Sequence, residues 1–255
     1  MHTKKIPVRT GMTMQVGSKY IFDVDGTLTP SRKEIEHEFW APFLIFCRHN
    51  DVYLVTGSDR QKTLEQLGLD ICYTAKRVYN CSGSDVYEKN KNVYRDDWEL
   101  PKEVENFLMD ELAYSCFPIR NGLHIERRPG GVNFSILGRG KEPSVGRAEY
   151  MKWDKERLER EDIAGRLRNA FPNLSVALGG QTGLDIGPLG SDKSQILRDF
   201  SGDDELHFFG DRIEKGGNDH TLAMKIVENM MGVAYNVKDY TETRTILEGF
   251  PHDKK

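Results

Sequence analysis

Residues 20–32 read YIFDVDGTLTPSR: a short apolar run, then Asp23 and Asp25 two apart, then Gly-Thr. The run predicts a buried strand ending at the first aspartate. Two carboxylates at the end of such a strand repel each other, so something must compensate. A cation would do so, as would a covalent intermediate on one of the two. The rest of the chain bears on which.

A second apolar run, DVYLVT at 51–56, ends in Thr56-Gly57-Ser58-Asp59. Between the runs Ile35, Phe39, Phe43 and Phe46 recur at helical spacing, with Pro42 expected to kink or split that helix. Asp59 is suited to N-cap the stretch DRQKTLEQLG, which Gly68 closes. Strand, helix, strand, helix predicts an α/β fold, a parallel sheet with helices on its faces. Ligands of such sheets sit outside the carboxyl ends of the strands, where Asp23, Asp25 and Thr56-Gly57-Ser58 all fall.

From about residue 92 the texture changes. PKEVENFLMDELAYS is helical, GLHIER and VNFSILGRG read as strands split by the Pro129-Gly130-Gly131 turn, YMKWDKERLEREDIAGRLRNAF reads as one long charged helix, and LSVAL and GLDIG read as strands. After Pro188 the α/β texture returns with KSQILRDF, the strand ELHFF, a glycine-rich turn, the helix NDHTLAMKIVENMM and the strand GVAYNV. The expected architecture is a Rossmann-like parallel-sheet core at 18–91 and 189–255, interrupted by an inserted α+β cap at 92–188. A loose N-terminal tail at 1–17 precedes it.

A length of 255 residues is enough for a large core, and 38% hydrophobic with 30% charged residues reads as globular. The net charge of −4 invites neither nucleic acid nor an anionic membrane. Cys47, Cys72, Cys81 and Cys116 show no CxxC spacing, which suits free thiols in a reducing compartment. The first residues carry charges but no apolar core of a secretory signal, and no run reaches the roughly 20 apolar residues of a spanning helix. A cytoplasmic protein is expected.

More acidic groups gather at the same sheet edge. ELHFF ends in Gly210-Asp211, and Gly216-Gly217-Asn218-Asp219 leads into the next helix. Carboxylates collected in one place are tolerable around a hard cation, and Mg²⁺ is the usual one with phosphate substrates. Lys193 supplies a fixed positive charge, and Thr56 or the amides of Gly57 and Ser58 offer donors to phosphate oxygens. Phosphoryl transfer is mostly positioning and charge neutralisation, and a carboxylate can itself serve as the nucleophile.

DVDGT, the TGSD strand end, Lys193 and GD with GGND resemble the four motifs of the haloacid dehalogenase-like phosphotransferases. The resemblance implies that Asp23 is the nucleophile and Asp25 the general acid/base, with Thr56 and Lys193 holding the phosphoryl group. It implies further that Asp23, the Asp25 carbonyl, Asp211 and Asn218 or Asp219 surround Mg²⁺.

The likeness extends to the eukaryotic-type phosphomannomutases over most of residues 20–248. DVDGTLTPSR places Arg32 where that family has an arginine facing the sugar phosphate. Arg128 with NFSILGR (Asn133, Ser135, Arg139) is similar to its RNG…NVSPIGR stretch, and GGQTGLDIGPLGSDK, with Asp185, to its GGQ…FD…PDGWDK segment. The resemblance implies a hexose-phosphate mutase, mannose 6-phosphate to mannose 1-phosphate, with a hexose 1,6-bisphosphate activator, Gly57 and Ser58 at the phosphate and a homodimer through the cap. Four positions depart from the family: Gly183 replaces a substrate-contacting serine, Ser191 a tryptophan, Asn121 an arginine, and Thr56 stands where the mutases carry glycine. A sugar-phosphate phosphatase is therefore the alternative.

Overall fold

The structure is a computed structural model that describes residues 17–142 and 144–248. Of the expected tail, Gly17 is exposed and residues 1–16 lie outside the described residues. The chain divides into two units, one built from residues up to Tyr94 and from Asp192 onward, the other from Arg95–Ser191. The sequence reading placed the insertion at 92–188. Its start comes later because Lys91–Arg95 pairs into the first unit's sheet. Its end does so because Leu189 and Ser191 are held by Asn173 and Pro188.

The first unit opens with β1 (Ser18–Asp23), α1 (His37–His49), β2 (Asp51–Val55), α2 (Arg60–Thr74), β3 (Arg77–Asn80), β4 (Asp85–Glu88) and β5 (Lys91–Arg95). The inserted unit follows with α3 (Lys102–Tyr114), β6 (Leu123–Arg128), β7 (Gly131–Arg139), α4 (Arg147–Arg157), α5 (Glu159–Ala170), β8 (Leu174–Gly179) and β9 (Gly183–Pro188). A 3₁₀ helix at Lys193–Asp199 returns to the first unit, which ends with β10 (Glu205–Gly210), α6 (His220–Glu228), β11 (Gly232–Asn236) and α7 (Tyr240–Glu248).

The first unit's sheet has the order β11-β10-β1-β2-β3-β4-β5. It is parallel from β11 to β3, and β4 then runs antiparallel to β3. β1 lies in the interior of the sheet, and Ile21 and Phe22 are buried on its opposite faces, as a strand covered on both sides requires. Phe22 stacks on Phe209 at 4.7 Å and meets Phe43 of α1 edge-on at 5.2 Å. Each such side chain contributes about 1.5–3 kcal/mol by leaving water. α1 continues unbroken through Pro42. Pro42 is exposed, so the carbonyl it cannot pair faces solvent, while Phe39, Phe43 and Phe46 hold the helix to the sheet.

Asp59 caps α2 by accepting from the amide of Lys62 at 2.8 Å, and the first helical segment stops at Gly68, whose φ is 77°. The sequence reading did not name β3, β4, β5 or α7. β4 and β5 are joined by Lys89 and Asn90, both left-handed, which is the geometry of a two-residue hairpin turn.

In the inserted unit the sheet order is β6-β7-β9-β8, antiparallel throughout. Val132, Phe134, Leu184 and Ile186 face a core shared with Leu108, Tyr150 and Leu167. Strand alternation puts Glu126, Asn133 and Asp185 on the other face, in register across β6, β7 and β9. The single charged helix expected at 150–171 is instead two helices broken at Leu158, whose φ is 55°. Asp154 sets the break, because its carboxylate accepts from both the amide and the Nε of Arg160 at 2.8 Å and so caps α5. Among the described residues no helix is long and apolar enough to cross a membrane.

Candidate active site

Parallel strands deliver their carboxyl ends to one edge, and that edge of the first unit collects Asp23, Thr56 and Gly210-Asp211. Asp23 closes β1 and is 2% exposed. One of its oxygens accepts from Thr27 Oγ1 at 3.2 Å and the other from Lys193 Nζ. Lys193, equally buried, also donates to Asp219 Oδ1 at 2.7 Å. Burial works against the charge on Lys193, but Asp23 and Asp219 more than offset it, and its pKa is raised. Burial raises the Asp23 carboxyl, Lys193 pulls it back, and the charges of Asp219 and Asp211 push it up again.

The pocket therefore holds more negative charge than one lysine balances. Oxygens of Asp23, Asp211 and Asp219 lie within 4.8 Å of one another. Asp211 Oδ1 is buried with no hydrogen-bond partner, and burial followed by the Asp219 charge raises its pKa. An orphaned buried carboxylate oxygen beside two more carboxylates fits a hard divalent cation. Gly26 permits the approach: its φ is +85°, and a Cβ there would lie 2.3 Å from Asp211 Oδ2. Asp219 has less freedom, since Lys193 holds one oxygen and the Arg212 amide donates to the other at 3.1 Å. Asn218 is exposed on the loop before α6.

Thr56 is buried at the end of β2, and its Oγ1 accepts from the amide of Ser58 at 3.0 Å. Cys81 and Ser82, both left-handed, clamp this turn by donating from their amides to Ser58 O and Thr56 O at 2.8 Å. Gly57 is exposed, and a Cβ there would meet only Ser82 Oγ at 3.9 Å, so its backbone is open to a ligand. Asp25 lies outside the three-aspartate cluster. Its Oδ1 accepts from the Arg32 amide at 2.6 Å and from Gln66 Nε2 at 3.0 Å, and its Oδ2 from Ser58 Oγ at 3.4 Å. Arg32 itself is exposed and left-handed, with φ 62°.

In the inserted unit, Arg139 donates through Nε and Nη2 to Asn133 Oδ1 at 3.0 and 2.7 Å, and Asn133 donates to Asp185 Oδ1 at 2.6 Å. Glu126 Oε2 meets both Arg128 Nη2 at 2.9 Å and Arg139 Nε at 2.8 Å. Ser135 is buried, donating to Thr182 O at 2.8 Å and accepting from the Gly138 amide at 3.1 Å. Asn121 staples the following loop by donating to Glu142 O and Val145 O.

The fold thus gathers Asp23, Lys193, Asp211 and Asp219 around one point, ties Asp25 to Arg32 and Ser58, and groups Arg128, Asn133, Arg139 and Asp185 on one face of the inserted sheet. Sequence reasoning missed Thr27, Gln66 and Glu126. Gln66 carried a signal, a polar side chain beside Thr63 and Leu67 on the buried face of α2. Glu126 carried another, a carboxylate two residues before Arg128 on the same strand face.

The fold is of the haloacid dehalogenase-like kind. The chain is similar to a haloacid dehalogenase-like hydrolase from Bacteroides thetaiotaomicron, with a TM-score of 0.59 and 13% identity over 91% of this chain and 98% of that one. It is also similar to a trehalose-6-phosphate phosphatase related protein, with a TM-score of 0.55 and 21% identity over 90% and 96%. At these identities the likeness is one of fold. A family model described as eukaryotic phosphomannomutase matches residues 43–250. A phosphomannomutase of Triticum aestivum is 37% identical over 212 residues, covering 79% of this chain and 84% of that protein. One of Solanum lycopersicum is 35% identical over 231 residues, covering 88% and 90%. The chain belongs to the eukaryotic phosphomannomutase family.

Proposed function

We propose that this chain is a Mg²⁺-dependent, cytoplasmic hexose-phosphate mutase that interconverts mannose 6-phosphate and mannose 1-phosphate through an aspartyl-phosphate on Asp23. The observation that carries the reading is the buried Asp23 carboxylate, held by Thr27 and Lys193 at the end of β1 beside Asp211 and Asp219. Thr27 and Lys193 fix one attacking oxygen geometry before substrate arrives, which is how positioning lowers a phosphoryl-transfer barrier. Asp23, Asp211 and Asp219 would hold Mg²⁺, which neutralises the charge that builds on the transferred phosphoryl group. Lys193, bonded to Asp23 and Asp219, supplies the fixed positive charge, and the Thr56 hydroxyl, oriented by the Ser58 amide, donates with the Gly57 amide to phosphate oxygens. Asp25 gives a proton to the leaving sugar oxygen and takes it back from the incoming hydroxyl.

A mutase needs a second place for the phosphate that does not react. Arg128 and Arg139, the latter braced by Asn133 and Asp185, supply it, since guanidinium forks meet phosphate oxygens bidentately. A hexose 1,6-bisphosphate is the activator that first loads Asp23. A homodimer through the inserted unit belongs to the same reading, with β6 at a sheet edge.

Two observations favour the phosphatase reading of the same site. Thr56 brings a hydroxyl to the phosphate turn where the resembling mutases have glycine, and Asn121 binds loop carbonyls where they have an arginine. Incubation with Mg²⁺, mannose 1-phosphate and catalytic bisphosphate separates the two readings when mannose 6-phosphate and free phosphate are quantified together. Conversion without phosphate release is the expected result; stoichiometric release overturns the mutase reading.

A further inference from the structure

The arginine pair of the inserted unit already faces an anion of the protein's own. A single oxygen of Glu126, Oε2, lies 2.9 Å from Arg128 Nη2 and 2.8 Å from Arg139 Nε. We propose that Glu126 is an internal competitor for the phosphate of the substrate, and that it makes this arginine pair selective for dianionic phosphate over monoanions. The proposal rests on the reading of Arg128 and Arg139 as phosphate ligands.

Two observations separate competition from bracing. Arg139 is held without Glu126: Asn133 Oδ1 receives both its Nε and its Nη2, and Asp185 anchors Asn133 at 2.6 Å. Gly183 keeps that brace in place, because a Cβ there would lie 2.7 Å from Asn133 Oδ1. The Glu126 side chain is also 31% exposed, on edge strand β6. It can turn into solvent and leave Arg139 where it stands.

The charge count then decides what displaces it. A monoanion replaces one negative charge with another and gains little. A phosphate monoester dianion brings two charges and three acceptor oxygens to two guanidinium forks, so the exchange favours it. Exposed ion pairs are weak, which keeps Glu126 displaceable.

The test titrates the full chain calorimetrically with methyl phosphate, a dianion at about pH 8, and with dimethyl phosphate, a monoanion. Wild type is expected to bind the first and not the second. Glu126→Gln should bind methyl phosphate roughly two- to fivefold more tightly and acquire affinity for dimethyl phosphate, since a lost competing ion pair is worth up to about fivefold. Arg139→Ala should abolish that gain when combined with Glu126→Gln, which assigns it to this arginine pair and not to the Asp23 pocket. Weaker or unchanged methyl phosphate binding in Glu126→Gln overturns the competitor role. If Arg139→Ala alone leaves methyl phosphate binding unaltered, the phosphate-ligand reading fails with it, and the two failures are thereby told apart.

Discussion

The side-chain amide of Gln66 donates to Oδ1 of Asp25 at 3.0 Å, bridging 41 positions of sequence. The same amide lies 3.2 Å from Thr29 Oγ1 and 3.4 Å from Lys33 O, so it also ties down the turn that follows Asp25. Gln66 is buried and its backbone carbonyl accepts from the Ile35 amide, which leaves the side chain little room to wander. A proton-transferring carboxylate aimed by a fixed donor is the arrangement in which small misplacements matter.

Gln66→Leu should therefore lower kcat with a sugar phosphate roughly tenfold, the worth of about one lost hydrogen bond. Turnover of an activated acyl phosphate, whose leaving group needs no proton, should hardly change. The ratio of the two rates is the measurement. Equal losses on both donors would mean that Gln66 supports the fold and not the acid.

Asp23→Asn should abolish phosphoenzyme formation from an acyl phosphate while leaving a folded protein. The buried pocket holds three carboxylates against one lysine, so removing one charge relieves repulsion, and the metal-free melting temperature should hold or rise. Labelled phosphate on the variant would contradict the nucleophile assignment, and a fall of several degrees in its melting temperature would mean that the lost Lys193 pair outweighs the relieved repulsion.

Gly26→Ala is expected to damage the proposed Mg²⁺ site first. A Cβ at 2.3 Å from Asp211 Oδ2 must push that carboxylate aside, and the φ of +85° adds about 1–2 kcal/mol of backbone strain. Mg²⁺ titration followed by thermal shift should show weaker binding than wild type. Unchanged Mg²⁺ affinity would remove Asp211 from the ligand set.

His207 sets a pH dependence away from the site. It lies buried on β10, stacked on Tyr20 at 5.1 Å and on Tyr235 at 6.1 Å, with Nδ1 3.1 Å from the Tyr235 hydroxyl and Nε2 3.8 Å from Glu205. Burial lowers its pKa, and the Glu205 charge only partly opposes that. A histidine with a depressed folded pKa binds a proton more readily when unfolded. Stability is thus fully present above the unfolded value of about 6.5 and falls as pH drops through the window below it, by at most about 1.4 kcal/mol per unit. Urea midpoints between pH 7.5 and 5.5 should show this slope in wild type and a shallower one in His207→Phe. Parallel slopes would assign the effect elsewhere.

How much of this was legible beforehand follows from the range of the interactions. The DVDGT strand end, the Asp59 cap, the Gly68 stop and the two halves of the parallel sheet are written in neighbours a few residues apart, so periodicity and turn chemistry reveal them. The lysine and the three aspartates could be named from their motifs. That Lys193 bridges Asp23 and Asp219 required the chain to bring together positions 170 and 26 residues apart.

The sequence by itself determined the alternation of strand and helix and the edge at which carboxylates gather, because those depend on local hydrophobic pattern. Tertiary structure alone decided the rest. The break at Leu158 depends on Asp154 reaching Arg160, and the unbroken α1 depends on three phenylalanines packing across Pro42. The direction of Asp25 depends on Gln66, and the anion facing Arg128 and Arg139 is set by the register of β6 against β7. Side-chain orientation is a property of the neighbours that fill the space around it, and those neighbours are not adjacent in the chain.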